Sequence, residues 1–212
     1  MSTFATQLIS VILGVFASLL AWSVLFHFLR PRLEFSAAIS RIAADEEAGG
    51  FAYRIKLRNP SRRAVIDVTY TAKLRIRGLN AHAPQNWEIT YLPVSFNGRI
   101  PVIGARRGKR IYHLVRIKAD KPEEFTRSVY PSEIREKAAA GALTLEDVLR
   151  TGSEASVQIL GFGSDAFSGA RREFTSPEYT LESISPRRFK QQSLDLVDPE
   201  PAAEVPVAMS PA

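Results

Sequence analysis

Cysteine is absent from the 212 residues. That excludes disulfide staples, thiolate zinc centres and a cysteine nucleophile, and it fits a reducing compartment. Histidine is nearly as scarce: His27, His82 and His113 are scattered, with no H-E-x-x-H spacing to frame a zinc ion. No G-x-S-x-G elbow marks a serine nucleophile. GARRGK (Gly104–Lys109) has three residues between its glycines where a phosphate loop needs four, and Arg110 stands where its Ser or Thr belongs. GFGSDAFSG (Gly161–Gly169) carries glycines after a strand pattern, but no helix opens there and dinucleotide spacing fails, so a turn or bulge is expected. With catalytic motifs missing, the expectation is a protein without catalysis, cofactor or metal.

One further absence organises the chain. No Asp, Glu, Lys or Arg occurs before Arg30. Leu8–Leu29, LISVILGVFASLLAWSVLFHFL, would reach ~33 Å as a helix, enough for a hydrocarbon core of about 30 Å. A lone span must be helical to satisfy its own backbone, so residues 1–29 are expected to hold one transmembrane helix after a short N-terminus. A cleaved signal peptide fits less well, since MSTFATQ has no basic residue and the apolar run is too long. Arg30, Arg32 and Arg41 follow the span directly. Basic residues are retained on the cytoplasmic side, which puts the N-terminus outside and the rest inside a plasma (inner) membrane. Ser10, Gly14 and Ser18 recur every fourth residue and would let another helix approach closely.

Beyond the span the apolar period changes to two. Leu33–Ala37 opens the pattern, and FAYRIKLR (51–58) alternates Phe51, Tyr53, Ile55 and Leu57 against Ala52, Arg54, Lys56 and Arg58. Asn59-Pro60-Ser61 is turn chemistry, and Ile66, Val68, Tyr70, Ala72, Leu74 and Ile76 follow on one face of a long strand. The two strands are expected to form an antiparallel hairpin. Further strands are expected at Trp87–Val94, Ile111–Ile117, Ala155–Phe162, Arg171–Thr175 and Tyr179–Ile184. Helices are expected at Ser132–Ala140 and Thr144–Arg150, the second capped by Thr144 with Asp147 three residues on. Many short strands imply a mainly β domain, a β-sandwich, over residues 30–190. Residues 191–212 read as a disordered acidic, proline-rich tail: Ser193–Ala212 has four prolines, four carboxylates and no Lys or Arg.

The net charge is +6 and the isoelectric point about 9.8. Spread along strands and loops, that surplus fits a surface held against anionic lipid better than a nucleic-acid footprint. Arg30 and Arg32 are the candidate headgroup contacts. The run Arg106, Arg107, Lys109 and Arg110 is the densest basic loop, a candidate membrane or partner contact.

LRPRLEFSAAIS (Leu29–Ser40) after a membrane helix resembles the junction between inner helix and cytoplasmic domain in inward-rectifier potassium channels, particularly prokaryotic ones. The likeness continues through YRIKLRNPSRRAVIDVTYTAKLRI (Tyr53–Ile76) and VQILGFGSDAFSGARREFTSPEYTLESI (Val157–Ile184). It implies an immunoglobulin-like (E-set) sandwich that assembles as a tetramer, with Arg30 and Arg32 matching the family's lipid-binding junction. The chain departs from that family in having one span and no TVGYG-like filter, so it cannot build the carbonyl rings of a selective pore. The expectation is a membrane-anchored regulatory domain that binds partners or ligands. It would form a homo-oligomer or join a multi-span protein as an accessory subunit; the least favoured alternative, a membrane-tethered enzyme, would need a deep pocket with clustered acid–base residues.

Overall fold

A computed structural model describes residues 3–24, 30–43, 50–80, 82–94, 99–105, 111–118, 125 and 128–198. The chain is mainly β, with one N-terminal apolar helix and a sandwich-like pair of sheets. Helix α1 runs Thr3–Ser23, starting five residues before the apolar run. Thr3, Thr6 and Gln7 are polar but uncharged, so nothing there stops a helix. The segment Ala5–Ser23 is long and apolar enough to cross a membrane, and none of it is buried against the domain. Residues 25–29 of the expected span lie outside the described residues.

The first sheet contains β1 (Glu34–Phe35), β2 (Ile39–Ala43), β3 (Phe51–Arg58), β7 (Tyr112–Ile117) and β10 (Ile184–Ser185). Strand β3 is its centre, with β7 on one edge and β1 and β2 on the other. The second sheet is built on β4 (Val65–Arg77), with β5 (Trp87–Leu92) and β6 (Arg99–Ile103) along one edge. On its other edge lies β8 (Glu154–Asp165), followed by β9 (Arg171–Thr175). Ile39, Tyr53, Ile55 and Leu57 from the first sheet meet Val68, Tyr70, Leu74, Ile76, Val157 and Ile159 from the second in one apolar core. The Tyr179 hydroxyl, fully buried, donates to the Ser36 carbonyl at 2.7 Å.

The expected hairpin does not form, because β3 and β4 belong to different sheets. The intervening segment crosses between them. Asn59 Oδ1 accepts from the Ser61 amide at 2.9 Å, while Nδ2 donates to the carbonyls of Arg63 (2.7 Å) and Ile103 (3.3 Å). That carboxamide satisfies main-chain groups which a two-strand ladder would otherwise have held.

The inward face of β4 also departs from simple alternation. Val65 and Val68 are both buried, whereas Ile66 is only half-buried and Asp67 adopts a φ of 51°. The β4–β8 register shifts between Ile66 and Thr69, so a bulge turns Ile66 out of the core. Gly163 of β8 faces this bulge. A Cβ there would come within 2.7 Å of a Val65 methyl carbon, so only glycine lets the strands close.

Helix α2 (Ser132–Ala139) and helix α3 (Leu145–Leu149) match the expected pieces, and Thr144 and Asp147 form a reciprocal capping box. Strands β2 and β6 were not anticipated. Tyr179–Ile184 is no continuous strand: Tyr179 makes a single bridge to Val157, a 3-10 turn follows at Leu181–Ser183, and β10 begins at Ile184.

The expected tail is not free at its start. β11 (Arg188–Phe189) pairs with β12 (Leu196–Val197), and this small hairpin lies over the outer face of the first sheet. Ser40 Oγ donates to the Arg187 carbonyl at 2.6 Å, and the Tyr112 hydroxyl to the Gln192 carbonyl at 2.7 Å. Exposed main-chain acceptors on the segment thus meet side-chain donors on the sheet. Residues 199–212 lie outside the described residues.

Candidate membrane-facing site

The end of the sandwich that receives the helix is defined by register. Glu34 at the start of β1 stands opposite Arg58 at the end of β3, and Arg58 stands opposite Tyr112 at the start of β7. The crossover 59–64 leaves from this end and delivers β4, whose Val65 pairs with both Ile103 and Asp165. The junction, the crossover and the β8–β9 turn therefore share one end of the domain.

Arginine dominates that end. Arg30 and Arg32 are exposed and flank Pro31, which is buried in the domain. Arg58 pairs with Glu34 at 2.6 Å, and Arg63 pairs with Asp165 at 3.0 Å. Arg62 and Arg171 are exposed there as well. Of the acidic residues near this end, Glu34, Asp165 and Asp67 are engaged, the last by Arg99, and Glu173 is exposed on β9, while Arg32, Arg62 and Arg171 make no ion pair with another described residue. The local excess is positive.

Asp165 is the organiser of the adjoining turn. Burial works against its ionisation, but the Phe167 amide (3.0 Å), the Ser168 hydroxyl (2.8 Å) and Arg63 outweigh it and hold the carboxyl below its ordinary range. The Gly169 amide donates to the Asp165 carbonyl at 2.8 Å, closing the turn. Phe167 at its tip is 75% exposed, and the Arg63 guanidinium lies 4.5 Å above its ring centre. Ile111, 58% exposed, precedes β7 at the same end of the domain, its Cδ1 beside Gly104.

Of the residues singled out from the sequence, Arg30 and Arg32 belong to this end. Arg106, Arg107, Lys109 and Arg110 lie outside the described residues. Ser10, Gly14 and Ser18 are on α1, remote from the sandwich core. The Ser10 hydroxyl donates to the Thr6 carbonyl at 3.0 Å within the helix. Gly14 and Ser18 line a shallow apolar groove with Val11, Val15, Leu19 and Trp22. Arg58, Arg62, Arg63, Asp165, Phe167 and Arg171 were missed. The Arg62-Arg63 pair after the Asn-Pro turn was visible in the sequence, but its meeting with Asp165 depends on a pairing 102 residues apart.

Two other polar sites hold the fold. Tyr53 donates to Glu146 Oε2 and accepts from the Leu145 amide at 3.1 Å, while Arg41 holds Glu146 Oε1 at 2.9 Å. Burial first, then the Glu146 bond, raises the Tyr53 phenol well above its ordinary range. On the opposite face of β3, Lys56 is buried beneath the β11–β12 hairpin, between the rings of Tyr112 and Phe189. Among the described residues no group of three or more His, Cys, Asp or Glu side chains gathers as a metal site. The sequence matches no protein-family model and no curated protein.

Proposed function

We propose that this protein is a single-pass, membrane-anchored regulatory domain that acts by associating with a protein or ligand, without catalysis. In this reading the N-terminus is outside, α1 crosses a plasma (inner) membrane, and the sandwich lies in the cytoplasm against anionic lipid. It resembles the cytoplasmic domain of inward-rectifier potassium channels in its immunoglobulin-like sandwich and Arg-Pro-Arg junction, without their pore. The observation that carries the reading is the placement of exposed Arg30, Arg32, Arg62 and Arg171 at the end of the domain that joins an exposed apolar helix. Each basic residue near an anionic leaflet contributes on the order of 1 kcal/mol, so the cluster would hold the domain at the surface.

The test is native mass spectrometry of the full chain extracted in mild detergent, with its retained lipids identified. A homotetramer carrying anionic lipid is the expected result, and Arg30→Glu with Arg32→Glu should strip the lipid. Recovery as a water-soluble monomer without lipid would sink the reading. A second reading, an accessory subunit of a channel or transporter, is favoured by the apolar groove on α1 around Gly14 and Ser18. It predicts one copy bound to a multi-span protein.

A further inference from the structure

We infer that the turn Ala166–Gly169 is a second membrane contact, with Phe167 entering the headgroup and acyl boundary of an anionic leaflet. This rests on the proposed anchoring of α1. Phe167 is more exposed than any other large apolar side chain described, those of α1 included. A lone exposed ring is common on protein surfaces, but this one stands at the end of the domain that joins the anchor, where an apolar destination is within reach. The turn is also held in place: Asp165 fixes it through Phe167 and Ser168, and the Ala166 amide donates to the Ala64 carbonyl at 3.1 Å.

Distance limits what the ring can reach. Six peptide steps separate Val24 from Arg30, and an extended chain spans at most ~3.6 Å per residue, so the basic end stays within about 22 Å of the helix. The turn shares that end with the junction. Arg63 over one face of the ring, with Arg62 and Arg171 beside the turn, surrounds an apolar tip with positive charge. An aromatic tip in a basic rim complements anionic headgroups over acyl chains. A protein partner needs roughly 800 Å² from each side, more than Phe167 and Ile111 present. A leaflet needs less, because the anchor already supplies a high effective concentration.

The absence of cysteine makes the experiment clean. Single cysteines at Ser18, Ala166 and Glu133 are labelled with an environment-sensitive fluorophore in the full chain. The protein is reconstituted into phosphatidylcholine vesicles with or without phosphatidylglycerol, and spin-labelled lipids serve as quenchers. Glu133 is the reference: it lines a cavity with Gly152, which packs on the Arg77 carbonyl at the far end of β4, and the 13 residues of that strand span about 40 Å.

The expected result is quenching at Ala166→Cys at least twofold greater than at Glu133→Cys in anionic vesicles. Adding Phe167→Ser should bring the two levels together. A quenched Ser18 label with an unquenched Ala166 label overturns the inference while leaving the anchor in place. An unquenched Ser18 label instead overturns the anchoring itself. Protection of the Ala166 label in lipid-free detergent, rising with protein concentration, would identify a second copy as the occupant and overturn the lipid contact.

Discussion

Lys56 and Lys190, 134 residues apart in the chain, are joined by a 2.5 Å hydrogen bond from the Lys56 ammonium to the Lys190 carbonyl. A second bond reaches the Gln191 carbonyl at 2.8 Å. Burial pulls the ammonium below the ordinary lysine range, yet the main-chain oxygens and the Tyr112 ring 4.4 Å away compensate the buried charge. The β11–β12 hairpin is thereby fastened to β3 by one side chain.

Replacing Lys56 with Met keeps the aliphatic stem and removes the bonds. Hydrogen bonds to a charged group contribute about 1.5–3 kcal/mol, so a destabilisation of about 2 kcal/mol is expected. Faster amide exchange should be confined largely to residues 187–198. Hydrogen exchange read by mass spectrometry checks both extent and location; unchanged protection of that segment would show that the bonds do not hold it.

At the other end, Asp165→Asn should cost on the order of 2–3 kcal/mol, because it strands the partly buried Arg63 and weakens the turn below Phe167. The acid dependence follows from the depressed carboxyl. A carboxylate held below its ordinary 3.8 contributes stability that is present above about pH 4 and is lost as pH falls through its folded-state value. Urea unfolding of both proteins at pH 7 and pH 3 should therefore give a large gap at pH 7 and a narrower one at pH 3. Equal gaps would mean that the charge of Asp165 is not what stabilises the turn.

The bond between Tyr53 and Glu146 ties α3 to the first sheet. Tyr53→Phe leaves the Leu145 amide without its acceptor and Glu146 with Arg41 alone. The unsatisfied amide makes a loss of about 1–3 kcal/mol the expected outcome. A calorimetric melting temperature within a degree of the parent would contradict it. Arg41→Met tests the same cluster from its half-exposed side and should cost less, since solvent screens that arm.

What could be read from the chain divides by range. The anchor-like helix and the Thr144–Asp147 cap were legible because each depends on residues a few positions apart. Alternation in β3 and β4 announces two strands, but period two is the same whichever sheet a strand joins, so Asn59 reads as a hairpin turn. Its bonds to Arg63 and Ile103 instead steer the chain into the opposite sheet. Lys56 reads as a solvated residue because the cover over it comes from residues 188–191, more than 130 positions away and astride the expected boundary between domain and tail. The basic end was half visible: Arg30 and Arg32 are local to the span, whereas Arg63, Asp165 and Phe167 become one cluster only through the β4–β8 pairing.

His113 gives a pH response with no acidic partner among the described residues. It stands on β7 opposite Leu57, and its Nε2 is buried with no hydrogen-bond partner among the described residues. Burial lowers its pKa below the ordinary 6.5. The unfolded chain therefore takes up a proton before the folded one as pH falls, and stability declines from about pH 6.5 down to the folded-state value. One such group contributes a slope of at most about 1.4 kcal/mol per pH unit. His113→Phe, which preserves a flat ring without a titrating nitrogen, should match or exceed the parent at pH 8. It should also lose less stability between pH 6.5 and pH 5. Urea midpoints at pH 8, 6.5 and 5 measure this, and parallel curves for the two proteins would assign the acid response to another group.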